Sequence, residues 1–162
     1  CISICKPHHP KSVNKPDHTE EAQLWQSLSD FGWAGPPAPE ILAQANVLPD
    51  TLPKLWGTIE NSCPDNLYPS MVSQPGFGVL QIAWFAKNTS TSLGDLERVL
   101  NDARNATHQL EGNLTIQKCQ TAIKEHFDVW DTDNQPINLI QRMKSQFDPL
   151  NLLNPGRFIG GI

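Results

Sequence analysis

The residues best suited to chemistry lie near the C-terminus, in the stretch FDPLNLLNPGRF at positions 147–158, which we call the C-terminal hook. Asn154 precedes a proline, which favours an extended backbone at that residue. Pro155 and Gly156 suit the two central positions of a type II turn. Asn154 offers an amide that donates and accepts, and Arg157 offers a fixed fork of five donors. The spacing predicts a turn that presents hydrogen-bond donors to an electron-rich ligand; the alternative is a strap that only packs.

Other candidate groups are sparser along the chain. The four cysteines, at positions 1, 5, 63 and 119, show no pair with the spacing of a zinc or redox site, so reduced thiols are favoured over a disulfide. His126 with Asp128 could act as a base and its orienting group, but no Ser or Cys nucleophile can be placed beside them. His108 is interpreted as a surface residue of a helix. Trp130 is interpreted as a core residue or, alternatively, as the lining of a pocket.

Length and charge restrict the possible functions. The chain has 162 residues, enough for one ordinary domain, and a net charge of -5, which argues against non-specific nucleic-acid binding. No apolar run is long enough to span a membrane, and the first 15 residues do not resemble a secretory signal. We therefore expect a cytoplasmic protein, with attachment to the membrane periphery only through partner subunits.

Hydrophobic periodicity predicts the elements that position the hook. Residues 1–39 are expected to form a lead-in with one short helix capped by Thr19. Beyond a loop, the pattern predicts three strands and three helices, with a proline-containing loop around Pro64 and Pro69. In chain order these are strand 41–48, helix 50–60, strand 76–85, helix 92–110, strand 113–119 and helix 136–147.

This order predicts an α+β fold of the ferredoxin-like kind, with an antiparallel sheet covered by helices, followed by a C-terminal helix and the hook. Strand 76–85 is apolar on both faces and is expected to be central. The last helix should begin at Pro136 and bury one side, formed by Ile137, Ile140, Met143 and Phe147.

A family resemblance adds to this interpretation. Residues 141–162, QRMKSQFDPLNLLNPGRFIGGI, resemble the C-terminal signature of FAD-linked oxidases of the vanillyl-alcohol oxidase type. Those chains commonly end on a helix followed by Phe-Asp-Pro and then by Leu-Asn-Pro-Gly with a basic residue. The stretches VLPDTLP at 47–53 and FDVWD at 127–131, together with strand 76–85, resemble one branch, the FAD-binding subunit of glycolate oxidase. The resemblance covers roughly residues 40–162.

The resemblance implies that this chain is part of a flavoprotein oxidoreductase. Residues 40–162 would be the cap domain, which closes over the flavin and shapes the substrate pocket, with the FAD-binding domain missing from this chain. Asn154, Pro155, Gly156 and Arg157 would then contact FAD. The implied partners are that FAD-binding domain, a small 2-hydroxy acid substrate such as glycolate, and other oxidase subunits.

One feature departs from the family. Its catalytic branch often carries paired metal-holding histidines on the cap, and no histidine here repeats that spacing, so we expect no metal. The catalytic residues stay unassigned. The alternative function is a non-catalytic assembly or interaction module of an oxidase complex.

Overall fold

The computed structural model describes residues 16–34, 37–87, 91–132 and 136–161. The chain divides into two units at Ala34. In the first, helix α1 spans His18–Ser29, and Asp17 caps it by accepting from the Thr19 and Glu20 backbone N–H groups, both at 2.8 Å. The Glu20 carboxylate in turn accepts from the Asp17 backbone N–H at 2.9 Å, which completes a capping box. The prediction of Thr19 as the cap is wrong, because the N-cap is Asp17, two residues earlier.

The second unit is an α+β domain with a four-stranded antiparallel sheet. The strand order is β2-β3-β1-β4, which is ferredoxin-like and confirms the predicted fold class. Its elements are β1 (Ile41–Asn46), α2 (Leu52–Ser62), β2 (Leu67–Gln74), β3 (Val79–Ala86), α3 (Leu93–His108), β4 (Asn113–Lys118), a short α4 (Thr121–Lys124) and α5 (Ile137–Phe147).

The core lies between α2, α3 and one face of the sheet. Alternate residues of β3 enter it, as the strand pattern predicts, and β3 lies between β2 and β1, confirming its central position. The largest fully buried side chains of the core include Trp84, Leu80, Ile82, Leu55, Ile59, Leu96, Leu100 and Leu114. None of the helices in the described residues is long and apolar enough to cross a membrane.

Strand β2 was not predicted, because Pro69 had indicated a loop. The structure accommodates this proline at the edge of the sheet, where β2 has only β3 as a neighbour. Pro69 lies opposite Trp84, whose carbonyl accepts instead from the Glu40 N–H on the other side of β3, at 2.9 Å. Position 69 is therefore a non-hydrogen-bonded pair, in which the missing N–H of proline removes no bond of the ladder.

Helix α5 corrects a second prediction. Its bounds match the expected range, but Pro136 is the N-cap and no residue of the helix is buried. Met143 is 52 % exposed and Phe147 is 82 % exposed, whereas both were expected to pack inward together with Ile137 and Ile140. The periodic pattern correctly indicated an amphipathic helix, but periodicity alone does not show what covers the apolar side.

Candidate functional site

The predicted turn is present in the C-terminal hook. The Arg157 N–H donates to the Asn154 carbonyl at 3.1 Å, which places Pro155 and Gly156 at the central positions. Gly156 has a φ of 72°, the value that a type II turn requires at its second central residue. Asn154 itself has a φ of 47°, so the prediction of an extended backbone there is wrong. Asparagine is one of the few L-residues that adopt this left-handed conformation readily.

The side chains of the turn are accessible. Asn154, Pro155, Gly156 and Arg157 are all exposed. Neither the Asn154 amide nor the Arg157 guanidinium hydrogen-bonds to any other residue within the described part of the chain. The turn therefore leaves both donor groups able to meet a ligand or a neighbouring domain.

A buried carboxylate braces the hook from within. Asp148, only 8 % exposed, accepts from the backbone N–H groups of Leu152 and Leu153, each at 2.9 Å, and from Lys144 Nζ. Lys144 Nζ also donates to the Leu153 carbonyl at 2.6 Å, and the Asn151 N–H donates to the Asp148 carbonyl at 3.0 Å. One carboxylate and one ammonium group thus tie the end of α5 to residues 151–153, just before the turn.

The same contacts shift the acidity of Asp148. The hydrogen bond from Lys144, with the two backbone N–H donors of Leu152 and Leu153, lowers the pKa of the carboxyl to about 2. Asp148 stays ionised through the whole neutral range, so the brace is in place there. The sequence analysis gave Asp148 no role beyond its place in the Phe-Asp-Pro motif, because its backbone partners follow four and five residues later in an irregular segment.

A second polar cluster joins α3 to the segment after β4. His108 Nε2 lies 2.8 and 2.9 Å from the two carboxylate oxygens of Asp131, which is 1 % exposed. Asp131 also accepts from the Leu114 N–H at 2.7 Å and lies 3.4 Å from Arg104 Nε. Arg104 in turn lies over the ring of Phe127, 4.2 Å from its centroid. Sequence reasoning treated His108 as a surface residue and missed this pair, whose members lie 23 residues apart.

The structure does not bring His126 and Asp128 together as a base and its orienting group. Asp128 accepts from the Trp130 N–H at 3.0 Å and from the Thr132 N–H and hydroxyl, both at 2.6 Å, while His126 is exposed. The Asp128 side chain therefore shapes a local turn. This weak candidate for a catalytic pair has no support in the geometry.

Trp130 links the hook to this segment. It is half-buried, and its ring meets that of Phe158 edge-on, with centroids 5.7 Å apart. Next to Phe158, Ile159 is buried. The hook is thus held at both ends, by the brace around Asp148 before the turn and by the aromatic contact after it.

The remaining candidate ligands are dispersed. Cys63 and Cys119 are free thiols, and burial raises the pKa of each. Cys1 and Cys5, like His8 and His9, lie outside the described residues. No group of three or more His, Cys, Asp or Glu side chains that could hold a metal ion occurs in the segments that the structure describes.

Comparison of the chain with protein families, with curated proteins and with solved structures finds no match.

Proposed function

We propose that this chain is the cap domain of an FAD-dependent 2-hydroxy acid oxidoreductase, in which the hook meets a flavin held by another domain. The observation that carries the proposal is the turn at 154–157, which is fixed at both ends and yet exposes its donors. A segment that served only to pack would be expected to bury such side chains or to pair them within the domain. The ordered likeness of residues 147–158 to the end of FAD-linked oxidases supports the same function.

The chemistry of the donors suits a flavin or its substrate. A reduced flavin and a 2-hydroxy acid both present anionic oxygen or nitrogen atoms, which amide and guanidinium N–H groups bind well. Donors that are fixed in advance stabilise developing negative charge without reorganising, and Asn154 and Arg157 are carried by a braced turn. Hydride acceptance itself is chemistry that FAD supplies when bound. The residues of this chain would orient the flavin and the substrate carboxylate and exclude water.

The exposed apolar surface around the hook supports a partner domain. Seven large apolar side chains between 139 and 158 are about half exposed or more: Leu139, Met143, Phe147, Leu150, Leu152, Leu153 and Phe158. An apolar surface of this extent is typical of a protein interface. A second domain placed against it would cover the surface and bring its cofactor to the turn.

The test uses the complete open reading frame that encodes this chain. We expect the purified protein to show flavin absorption, and Asn154→Ala with Arg157→Ala to weaken FAD retention and lower kcat/KM by about 10- to 100-fold, as expected for the loss of fixed donors. The matched control is Asn101→Ala with Arg98→Ala, which removes the same side chains from the exposed face of α3. A complete protein that shows no flavin absorption even after addition of FAD would overturn the proposal.

The isolated chain is expected to bind FAD weakly. Half of a two-domain site supplies few contacts, while the cost of immobilising the ligand is unchanged. Flavin fluorescence measured against increasing concentrations of the isolated chain should therefore show little quenching. Tight binding would show that the chain holds the cofactor without a second domain.

An assembly module is the second candidate, and the same exposed apolar surface favours it. Here the surface would dock an oxidase subunit without any contact to flavin. If the Asn154→Ala and Arg157→Ala variant retains flavin turnover but no longer co-purifies with partner subunits, the assembly function is correct.

A further inference from the structure

A shallow depression lies beside His108, at one end of the sheet, and neither candidate function above uses it. It is bounded by the end of β1, the end of α3 and the start of β4, and its volume is about 650 Å³. Its walls include His108, Glu111, Asn46 and Asn113 as polar groups and Val47 and Leu48 as apolar ones. We refer to it as the His108 depression.

Asp131 fixes which nitrogen of His108 is free. The Asp131 carboxylate already accepts from the Leu114 N–H and lies next to Arg104, so it is an acceptor, and His108 Nε2 must donate to it. In the neutral imidazole Nδ1 is then the acceptor. Nδ1 has no hydrogen-bond partner within the described residues, and the side chain is 27 % exposed. His108 lines the depression, and Nδ1 is the ring nitrogen that is left to accept a hydrogen bond.

A chain of side-chain amides supplies the complementary donor. Gln117 Nε2 donates to Gln44 Oε1 at 3.1 Å, Gln44 Nε2 to Asn46 Oδ1 at 3.2 Å, and Asn46 Nδ2 to Asn113 Oδ1 at 3.2 Å. Each amide in such a series polarises the next. The series ends with the Asn113 amide group, whose N–H donors have no partner among the described residues and which lines the depression.

We propose that the His108 depression binds a small, uncharged, hydroxyl-rich ligand such as a monosaccharide, one hydroxyl of which donates to His108 Nδ1 and accepts from the Asn113 amide. A hydroxyl group is the simplest ligand group that satisfies an acceptor and a donor together. The exposed Glu111 carboxylate, which lines the depression, would accept from further hydroxyls and disfavours an anion. Leu48, which is 54 % exposed, offers apolar surface on which the C–H face of a sugar packs.

Two other occupants are less suited to this site. A metal ion would find one imidazole and one carboxylate here, fewer than the three protein ligands of an ordinary catalytic site. A carboxylate ligand, including the 2-hydroxy acid of the proposed oxidoreductase, would meet the negative charge of Glu111. The inference is therefore independent of the proposed flavin chemistry.

The test is an NMR titration of the chain with D-glucose at mildly alkaline pH. The imidazole nitrogen shifts should identify the tautomer with the proton on Nε2. Glucose should then shift the His108 and Asn113 side-chain resonances with a Kd of about 1–10 mM, the range expected for a shallow, partly polar site. Sodium acetate at equal concentration should produce no such shifts.

Variants separate binding from folding. His108→Gln and Asn113→Ser should each weaken glucose binding at least tenfold, whereas His126→Gln, which changes an exposed histidine outside the depression, should leave it unchanged. Asn113→Ser retains the His108–Asp131 pair, so its effect does not depend on losing that contact. The proposal is overturned if glucose causes no shift at about 100 mM, if acetate binds equally well, or if the shifts lie elsewhere on the chain.

Discussion

At the scale of single residues, the N-terminal end of the hook depends on one carboxylate, that of Asp148. Asp148 receives three donors, from Lys144, Leu152 and Leu153. In the folded chain the pKa of Asp148 is lowered from its ordinary value of 3.8 to about 2. The ionised carboxylate therefore stabilises the folded hook. That contribution is fully present above about pH 4 and is lost as the pH falls through about 2.

We predict that the chemical shifts of the Leu152 and Leu153 backbone amides change together as Asp148 is protonated, with a midpoint near pH 2. Proton–nitrogen correlation spectra recorded over decreasing pH measure this directly. In Asp148→Asn the amide shifts should be displaced at neutral pH and should show no titration in this range, because no carboxylate is present. A midpoint near 3.8 in the native chain would contradict the brace.

The parts of the site that depend on local backbone preferences could be predicted from the sequence, and the parts that depend on packing between distant segments could not. Pro155 and Gly156 impose a turn through their own backbone preferences, so the turn was predictable. Asn154 was predicted wrongly, because the general effect of a following proline competes with the tolerance of asparagine for positive φ. The His108–Asp131 pair depends on the packing of α3 beside β4, and no spacing in the sequence indicates it.

At the scale of elements, β2 shows how one residue conceals a strand. Pro69 has the sequence signature of a loop, but it occupies the edge of the sheet at a pair with no ladder bonds. Ser70, one residue later, is opposite Ala83 in a hydrogen-bonded pair, since the two pair types alternate along the strand. The helices were easier to predict, because the apolar stripes of α2 and α3 repeat over several turns and face the core.

We predict that Ser70→Pro destabilises the domain by about 1–3 kcal/mol, because it removes a ladder bond and leaves the buried Ala83 carbonyl without a donor. Ser73→Pro is the matched control. Like Pro69, Ser73 belongs to a non-hydrogen-bonded pair of the sheet, so its backbone N–H points away from β3 and its loss removes no ladder bond. Its cost should be clearly smaller. Urea unfolding followed by tryptophan fluorescence measures both. Equal destabilisation by the two prolines would mean that the assigned register is wrong.

At the scale of the whole molecule, the region that carries the exposed apolar side chains, residues 136–161, is also basic. Between residues 136 and 161 the chain has three cations, Arg142, Lys144 and Arg157, and one carboxylate, Asp148, whereas the complete chain carries a net charge of -5. Lys144 and Asp148 pair with each other, which leaves two exposed arginines among the large apolar side chains. This combination suits a partner surface that is apolar at its centre and acidic at its rim.

If that surface serves association rather than folding, Met143→Gln with Phe147→Gln should change the free energy of unfolding of the chain by no more than about 0.5 kcal/mol, because both side chains are already exposed. Leu100→Ala, which truncates a fully buried core residue, should cost about 2–5 kcal/mol and provides the scale. In the complete protein, the same glutamine pair should weaken flavin retention, measured by flavin absorption after purification. A loss of stability comparable to that of Leu100→Ala would instead show that α5 contributes to the core. The proposal that this surface docks a partner would then be wrong.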